Sequence, residues 1–165
     1  MSLVVSDTSP LHYLILCGAE EVLPRLFSRV LIPPTVFREL QQPTAPRPVR
    51  QWIQTLPSWC AVQAPRKLDL VLDIDPGELE AICLAKEVKA VALLMDDRAG
   101  RVAAVRCGLA VIGTIGILEA AAARGLLNLT ESLRKLQTTN MRLDSELVEA
   151  ALRRDAARSS AKPQS

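Results

Sequence analysis

The sequence has a single histidine, His12, and its four cysteines lie far apart with no Cys-x-x-Cys pair. Tetrahedral zinc sites are built mainly from cysteine and histidine at short spacings, so the sequence argues against a zinc site. Cys17, Cys60, Cys83 and Cys107 each lie in or beside an apolar run. We therefore expect them to be reduced, packed side chains in a protein of a reducing compartment.

Long apolar runs are also missing from the chain. None reaches the ~18 residues that a membrane-spanning helix needs, and no basic and then apolar leader opens the sequence. We expect a soluble, cytoplasmic protein with no membrane partner. The 165 residues are enough for one domain, so we predict a single domain over residues 1–157 and a disordered polar tail over residues 158–165.

Charge of one sign is not in large excess. The formal net charge is +2, which gives no strong overall attraction to nucleic acid. Locally, five arginines lie between residues 25 and 50 against one acid, and three more soon follow the Asp96-Asp97 pair. If these segments meet, acids would lie inside a basic rim suited to a phosphate backbone. Ordinary solvated helix faces are the alternative, and the sequence leaves both open.

A short apolar run, residues 3–6, leads directly into Asp7-Thr8-Ser9-Pro10 and then into a second apolar stretch. This pattern is typical of a buried strand that feeds a helix, with Asp7 at the carboxyl end of the strand. Ligands of open parallel sheets bind beside those ends. Asp7 is therefore a candidate for chemistry. A helix N-cap is the alternative, because Asp, Thr and Ser are all common caps.

Two glutamates lie early in predicted helices. Glu39 lies at the edge of the apolar stripe of a helix that follows Pro33-Pro34, so it either pairs with an arginine or points into a site. Asp75-Pro76-Gly77-Glu78 is a helix start in which Glu78 is the capping-box acid. Since capping already accounts for Glu78, Glu80 is the better functional candidate. The alternative for Glu80 is an exposed first-turn acid favoured by the helix dipole.

An acidic pair, Asp96-Asp97, follows the apolar strand predicted over residues 91–95. Neighbouring residues leaving a strand point to opposite faces, so one of the two should face a site while the other caps the next helix. A further strand over residues 109–112 ends close to the hydroxyl residue Thr114. With strands at residues 3–6 and 30–32, and a minor one at 60–62, the alternation of strand and helix predicts a parallel α/β sheet.

Carboxylates brought together at one edge of such a sheet, without lysine or histidine, would repel one another strongly. A hard divalent cation is the usual remedy, and Mg²⁺ or Mn²⁺ takes oxygen ligands. A site of this kind suits hydrolysis of phosphodiester bonds, because a metal lowers the pKa of a bound water. The acids therefore favour metal-dependent chemistry on a nucleic acid.

Five stretches of the sequence, taken together, resemble a PIN domain, and most closely the compact prokaryotic group of VapC-like toxins. They are VVSDTSPL (4–11), IPPTVFREL (32–40), GELEAI (77–82), LLMDDRA (93–99) and VIGT (111–114). The resemblance implies a three-layer α/β sandwich with a central parallel sheet of four or five strands flanked by helices. It also implies a metal-dependent endoribonuclease that is the toxin of a toxin–antitoxin pair.

The resemblance assigns roles to residues of this chain. The catalytic acids it implies are Asp7, Glu39, Glu80 and Asp97. The residues implied to hold Mg²⁺ or Mn²⁺ are Asp7, Glu80, Asp97 and Asp96, with Glu39 positioning or deprotonating the attacking water. Thr8, Ser9 and Thr114 would support the acids, and Arg38 and Arg98 would bind the RNA backbone.

Two positions depart from the pattern of many PIN domains. Glu80 stands where Asp is common, and Met95 stands where a Thr often precedes the final acid by two residues. The partners implied are an RNA substrate, a small antitoxin protein that occupies the acidic groove, and a second copy of the chain in a homodimer. The main alternative function is a catalytically inactive PIN-like module that binds RNA or protein. A receiver-like signalling domain fits poorly, because no lysine follows Ile112 until Lys135.

Overall fold

The computed structural model describes residues 2–161, in which strands and helices alternate. The elements are β1 (Leu3–Ser6), α1 (Thr8–Leu16), α2 (Leu23–Leu26), β2 (Arg29–Ile32), α3 (Pro34–Gln41), α4 (Arg47–Gln54), β3 (Cys60–Val62), α5 (Pro76–Glu87), β4 (Ala92–Leu94), α6 (Arg98–Arg106), β5 (Val111–Ile112), α7 (Thr114–Ala123), α8 (Leu129–Gln137) and α9 (Ser145–Ala161). A 3₁₀ turn, Glu20–Val22, precedes α2.

The strands form one parallel sheet in the order β3-β2-β1-β4-β5 within the described residues. The central strand β1 aligns Val5 with Leu31 of β2 and with Leu93 of β4. Helices flank this sheet, as in the three-layer α/β sandwich of PIN domains, so the predicted fold class is confirmed. The minor strand predicted at residues 60–62 pairs with β2 and makes the sheet five-stranded.

The core of the sheet is apolar because its strands are covered. Val4, Val5, Leu93 and Leu94 have no exposed surface, as expected of parallel strands buried on both faces. Helix α5 packs against β1 and β4, and its apolar residues join the buried cluster around Val5 and Leu93. The N-terminus of α5 is thereby held close to the centre of the sheet.

The sequence predicts a helical stretch over residues 11–26 with a break at Gly18. The structure has this break, because the φ of 67° at Gly18 favours glycine and ends the helical path after α1. The helix predicted from Ile117 begins already at Thr114. All four cysteines are free thiols, and Cys17, Cys60 and Cys83 are buried. Across residues 2–161, no helix combines the length and apolarity needed to cross a membrane.

Contacts divide the chain into two compact units, residues 1–114 and residues 115–165. The first contains the sheet and helices α1–α6. In the second, Glu119 of α7 accepts ion pairs from Arg154 and Arg158 of α9, at 2.8 and 3.0 Å. The single domain over residues 1–157 stays a prediction.

The polar tail predicted from residue 158 is helical as far as Ala161. Arg158 pairs with Asp155 one turn earlier at 3.5 Å, and the Ser160 hydroxyl donates to the Ala156 carbonyl at 3.0 Å. These local contacts extend α9 beyond the predicted end at residue 157. The rest of the predicted tail, residues 162–165, lies outside the described residues.

Candidate active site

The strand order reverses direction at the centre of the sheet, between β1 and β4. The chain passes from β1 to β2 and β3 on one side, and then returns to β4 and β5 on the other. Crevices beside the carboxyl ends of strands at such a switch point are where α/β sheets bind ligands. Asp7 follows β1, and its N–H donates to the Leu94 carbonyl of β4 at 2.9 Å. Asp96 and Asp97 follow β4 one residue later, so the two acidic segments lie side by side.

Asp7 is the buried centre of the acidic site. The residue is only 6% exposed, and burial raises the pKa of its carboxyl from 3.8 to about 6. The Thr8 N–H opposes this shift, whereas the charges of Glu39, Asp96 and Asp97 add to it. Asp7 stands at the N-cap position of α1 but makes no side-chain capping hydrogen bond. The alternative interpretation of Asp7 as a side-chain cap of α1 therefore does not hold.

Glu39 reaches the site from helix α3. It is half-buried, and its Oε2 accepts a hydrogen bond from the Thr8 hydroxyl. On its other side it closely approaches α5, because a Cβ atom added to Gly77 would lie 3.1 Å from Glu39 Oε1. A glycine in the first turn of α5 thus makes room for the Glu39 carboxylate. The resemblance implied that Thr8 or Ser9 supports Asp7, and here the Thr8 hydroxyl donates to Glu39 instead.

Asp96 is held by neutral donors from two other segments. Its Oδ2 accepts the hydroxyls of Ser9 and Thr114, each at 2.7 Å, and its Oδ1 accepts the Thr114 N–H at 2.7 Å. Thr114 is fully buried. Asp96 therefore ties the start of α1 and the end of β5 to the end of β4, and both of its oxygens are already engaged. The acid that Ser9 and Thr114 contact is therefore Asp96, whereas the resemblance implied that Ser9 or Thr8 supports Asp7.

Asp97 both caps α6 and lies close enough to Asp7 to affect its pKa, although the sequence predicts that one member of the Asp96-Asp97 pair caps the helix and the other faces the site. Its Oδ2 accepts the Gly100 N–H at 2.9 Å and caps α6. Its charge also contributes to the raised pKa values of Asp7 and Glu78. Because the cap uses one of its two carboxylate oxygens, Asp97 remains able to bind a ligand while it holds the helix.

Glu78 is the acid of α5 that lies beside Asp7 and Asp97. It is 8% exposed, and burial raises the pKa of its carboxyl to about 7, with further contributions from Asp97, Asp7 and Asp75. The Asp75 N–H opposes the rise, as expected if Glu78 reaches back in a capping box. Side chains on a helix lean towards its N-terminus, so the capping position itself directs this carboxylate to the sheet edge.

Glu80, predicted as a metal ligand, has different neighbours. Its Oε2 accepts a hydrogen bond from the Thr35 hydroxyl of α3, and Thr35 in turn accepts a hydrogen bond from Arg38 at 2.9 Å. Glu80 is not among the groups whose charge shifts the pKa of Asp7 or Glu78. The structure therefore corrects the prediction that Glu80 rather than Glu78 faces the site. The prediction was wrong because it assumed that Glu78 could not cap α5 and face the site at the same time.

Helices α5 and α6 approach each other closely at Gly100. A Cβ atom added there would lie 2.6 Å from Met95 Sδ and 3.1 Å from Glu78 Oε2. Met95, which stands where many PIN domains have threonine, is fully buried and offers a thioether rather than a hydroxyl. The close approach brings Glu78 next to the segment that carries Asp97.

The charges of this site are unbalanced. Every charged group that shifts the pKa of Asp7 or Glu78 is itself an acid. Arg38 and Arg98, predicted to bind RNA, are both exposed, and Arg98 is the first residue of α6. Within residues 2–161, no group of three or more His, Cys, Asp or Glu side chains is arranged to hold a metal ion. The acids thus meet at one edge of the sheet without forming a complete coordination shell.

A family model described as a PIN domain matches residues 3–156. The chain belongs to the PIN domain family. The resemblance of the sequence to PIN domains is thereby confirmed over residues 3–156, and this PIN domain has the nuclease-like fold of its family. Searches of curated proteins and of solved structures found no match to the chain. PIN domains are generally nucleases and typically use divalent metals.

The sequence pattern indicated only a capping role for Glu78, and it did not single out Tyr13, whose pKa is raised by burial and by the charge of Asp96. Arg101, which lies against Gly113, was predicted only as one of the arginines of a possible basic rim. A signal for Tyr13 was available, since it follows Ser9 by four residues and so shares a helix face with it. No local pattern predicted that Arg101 lies against Gly113, because this contact depends on where β5 lies beside α6.

Proposed function

We propose that this PIN domain is a metal-dependent endoribonuclease that hydrolyses phosphodiester bonds of RNA. The observation that carries the proposal is Asp7. Its buried carboxylate at the centre of the sheet is surrounded by the charges of Glu39, Asp96 and Asp97, with Glu78 also nearby. Asp7 and Glu78 are buried, and burying two carboxylates close to further acids is costly unless a cation neutralises them. No side-chain cation is among the groups that shift the pKa of Asp7.

The chemistry of the donor set fits Mg²⁺ or Mn²⁺. All the acids offer oxygen atoms, which hard divalent cations prefer, and neither cysteine nor histidine contributes to the pKa shifts of Asp7 and Glu78. Mg²⁺ usually keeps several waters and binds through one or two carboxylates, so a complete protein cage is not required. Such an ion, when bound, supplies positive charge that stabilises the transition state of phosphodiester hydrolysis.

We assign the metal-holding role to Asp7, Glu78 and Asp97. Asp7 and Glu78 are the two buried acids with raised pKa values, and Asp97 contributes to both shifts. Asp96 serves as the brace that orients the surrounding segments, since its oxygens are occupied by Ser9 and Thr114. This differs from the sequence prediction, which gave Asp96 a direct share in the metal and placed Glu80 in the position of Glu78.

Glu39, held by the Thr8 hydroxyl, is placed to orient the attacking water or to accept its proton. Arg38 is an exposed cation on α3, the helix that carries Glu39. Arg98 is an exposed cation at the start of α6, the helix that Asp97 caps. They would bind the RNA backbone on either side of the acids.

We further propose that the protein is the toxin of a toxin–antitoxin pair in the cytoplasm, that a small antitoxin covers the acids, and that the chain forms a homodimer. These proposals rest on the resemblance of the five sequence motifs to VapC-like proteins. A protein that binds RNA without cleaving it is the second candidate function. It is favoured by the absence, within the described residues, of a three-residue group arranged for a metal.

The deciding experiment compares RNA cleavage by the wild type and by three amide variants, with Mn²⁺ and with EDTA. We expect Asp7→Asn and Glu78→Gln to lower the cleavage rate by roughly 100-fold or more, because each removes a charge that holds the metal. Glu80→Gln, the matched control on the same helix, should keep the rate within about threefold of wild type, since its amide oxygen can still accept the Thr35 hydroxyl and its charge shifts the pKa of neither Asp7 nor Glu78. Cleavage that is equal in wild type and Asp7→Asn would exclude the nuclease proposal and leave the binding module.

A further inference from the structure

One arginine of α6 lies beside the acidic site in a place that a glycine keeps open. A Cβ atom added to Gly113 would lie 2.6 Å from Arg101 Nη1 and 3.0 Å from Asp96 Oδ1. Gly113 follows β5 directly, so the Arg101 guanidinium lies at the carboxyl edge of the sheet, the edge that carries Asp7 and Asp96. Any larger residue at position 113 would have to displace the guanidinium or the carboxylate.

The guanidinium has its hydrogen-bond donors available. The Asp96 oxygens beside it are satisfied by Ser9 and Thr114, and the Arg101 side chain makes no ion pair or hydrogen bond with another residue in the range 2–161. Arg101 is also exposed to solvent. The arrangement differs from a structural salt bridge, in which the arginine itself would satisfy the carboxylate.

A planar guanidinium with free donors matches the oxygens of a phosphate group, which it can bind through two parallel hydrogen bonds. We propose that Arg101 binds a backbone phosphate of the RNA next to the acidic site, and that Gly113 preserves the surface on which the guanidinium lies. This inference rests on RNA being the substrate, as proposed above, and it adds to Arg38 and Arg98 a phosphate contact on the β5 side of the site.

The test measures binding rather than cleavage, so that it stands apart from the nuclease proposal. A fluorescently labelled single-stranded RNA is titrated with the protein in EDTA, at several salt concentrations, and anisotropy is followed. We expect Arg101→Ala to weaken binding by roughly tenfold, as for loss of a charge-assisted hydrogen bond. The slope of log affinity against log salt should also fall by about one, as for loss of one phosphate contact.

Three further variants make the readout specific. Arg101→Lys keeps the charge and should keep the salt slope, but it should recover only part of the affinity because the two-pronged geometry is lost. Gly113→Ala should weaken binding more in the wild type than in Arg101→Ala, since part of its effect acts through the guanidinium and part through Asp96 Oδ1. Arg29→Ala is the matched control. Arg29 is an exposed arginine at the amino-terminal end of β2, whereas the acidic site lies at the carboxyl ends of the parallel strands.

Equal affinity and equal salt slope for Arg101→Ala and Arg29→Ala would overturn the proposal, even if the protein cleaves RNA. Failure of the wild type to bind RNA would overturn both the phosphate site and the proposed function. Binding that depends on Arg101 in a protein that does not cleave RNA would support the phosphate site and reject only the nuclease.

Discussion

Replacing the central acid by its amide should make the metal-free protein more stable, although it removes a native side chain. The pKa of Asp7 is raised by about two units in the folded protein, from 3.8 to about 6. At about 1.4 kcal/mol per unit, that shift corresponds to an upper limit of roughly 3 kcal/mol. Asp7→Asn removes the buried charge and keeps an oxygen that can accept the Thr8 N–H.

The sign follows from the direction of the shift. A carboxyl group whose folded pKa lies above its unfolded pKa supports the fold fully below pH 3.8, and this support is lost as the pH rises through about 6. We therefore expect no stability difference between Asp7→Asn and wild type at about pH 4. Near pH 7.5 in EDTA, the free energy of unfolding of the variant should be higher by about 1 to 3 kcal/mol, which is several degrees in Tm for a chain of this size.

The assay is urea unfolding at a series of pH values in EDTA, with Asp73→Asn as the matched control. Asp73 is an exposed aspartate whose replacement should change stability by less than about 0.5 kcal/mol at any pH. The reasoning is refuted if Asp7→Asn is no more stable than wild type near pH 7.5, or if the difference does not grow between pH 4 and pH 7.

Three other outcomes follow from the same contacts. Gly100→Ala should lower the free energy of unfolding by about 1 to 2 kcal/mol, measured in urea, because its Cβ would press on the buried Met95 Sδ and on Glu78. An increase would mean that helix propensity outweighs these contacts. Thr114→Val should lower the free energy of unfolding by about 1 to 2 kcal/mol, since Asp96 loses a hydroxyl donor. Thr130→Val on the exposed surface of α8 should be nearly neutral, and equal effects of the two substitutions would contradict the supporting role of Asp96. Mn²⁺ should raise Tm more near pH 8 than near pH 6, because the two acids with raised pKa values must lose their protons to bind it; a pH-independent shift would contradict this.

The sheet and its first acid were predictable because they depend on local signals. An apolar run that ends in Asp7-Thr8-Ser9-Pro10 already describes a strand, a turn and a helix start, and the structure has β1 and α1 at these places. Apolar strands separated by helices imply parallel pairing, and parallel pairing brings the carboxyl ends together. The proximity of Asp7 to Asp96 and Asp97 therefore follows from the order of the strands, whereas Glu39 lies on helix α3 and was assigned to the site only by the resemblance to PIN domains.

The choice between Glu78 and Glu80 was not predictable by elimination. Both residues lie in the first turns of α5, and a capping role for Glu78 seemed sufficient to explain it. The structure has Glu78 near the Asp75 N–H and near Asp97 at once, because the N-terminus of α5 itself lies at the site. The position of Arg101 over Gly113 depends on tertiary packing, which no periodicity in the sequence records.

Calorimetric titration of Mn²⁺ into the purified protein tests most directly whether the acids from β1, α5 and β4 act together as a metal site. The account predicts a saturable binding heat near pH 7.5 that is abolished in Asp7→Asn and in Glu78→Gln and retained in Glu80→Gln. Equal binding heats in the wild type and in Asp7→Asn, or none in either, would contradict it.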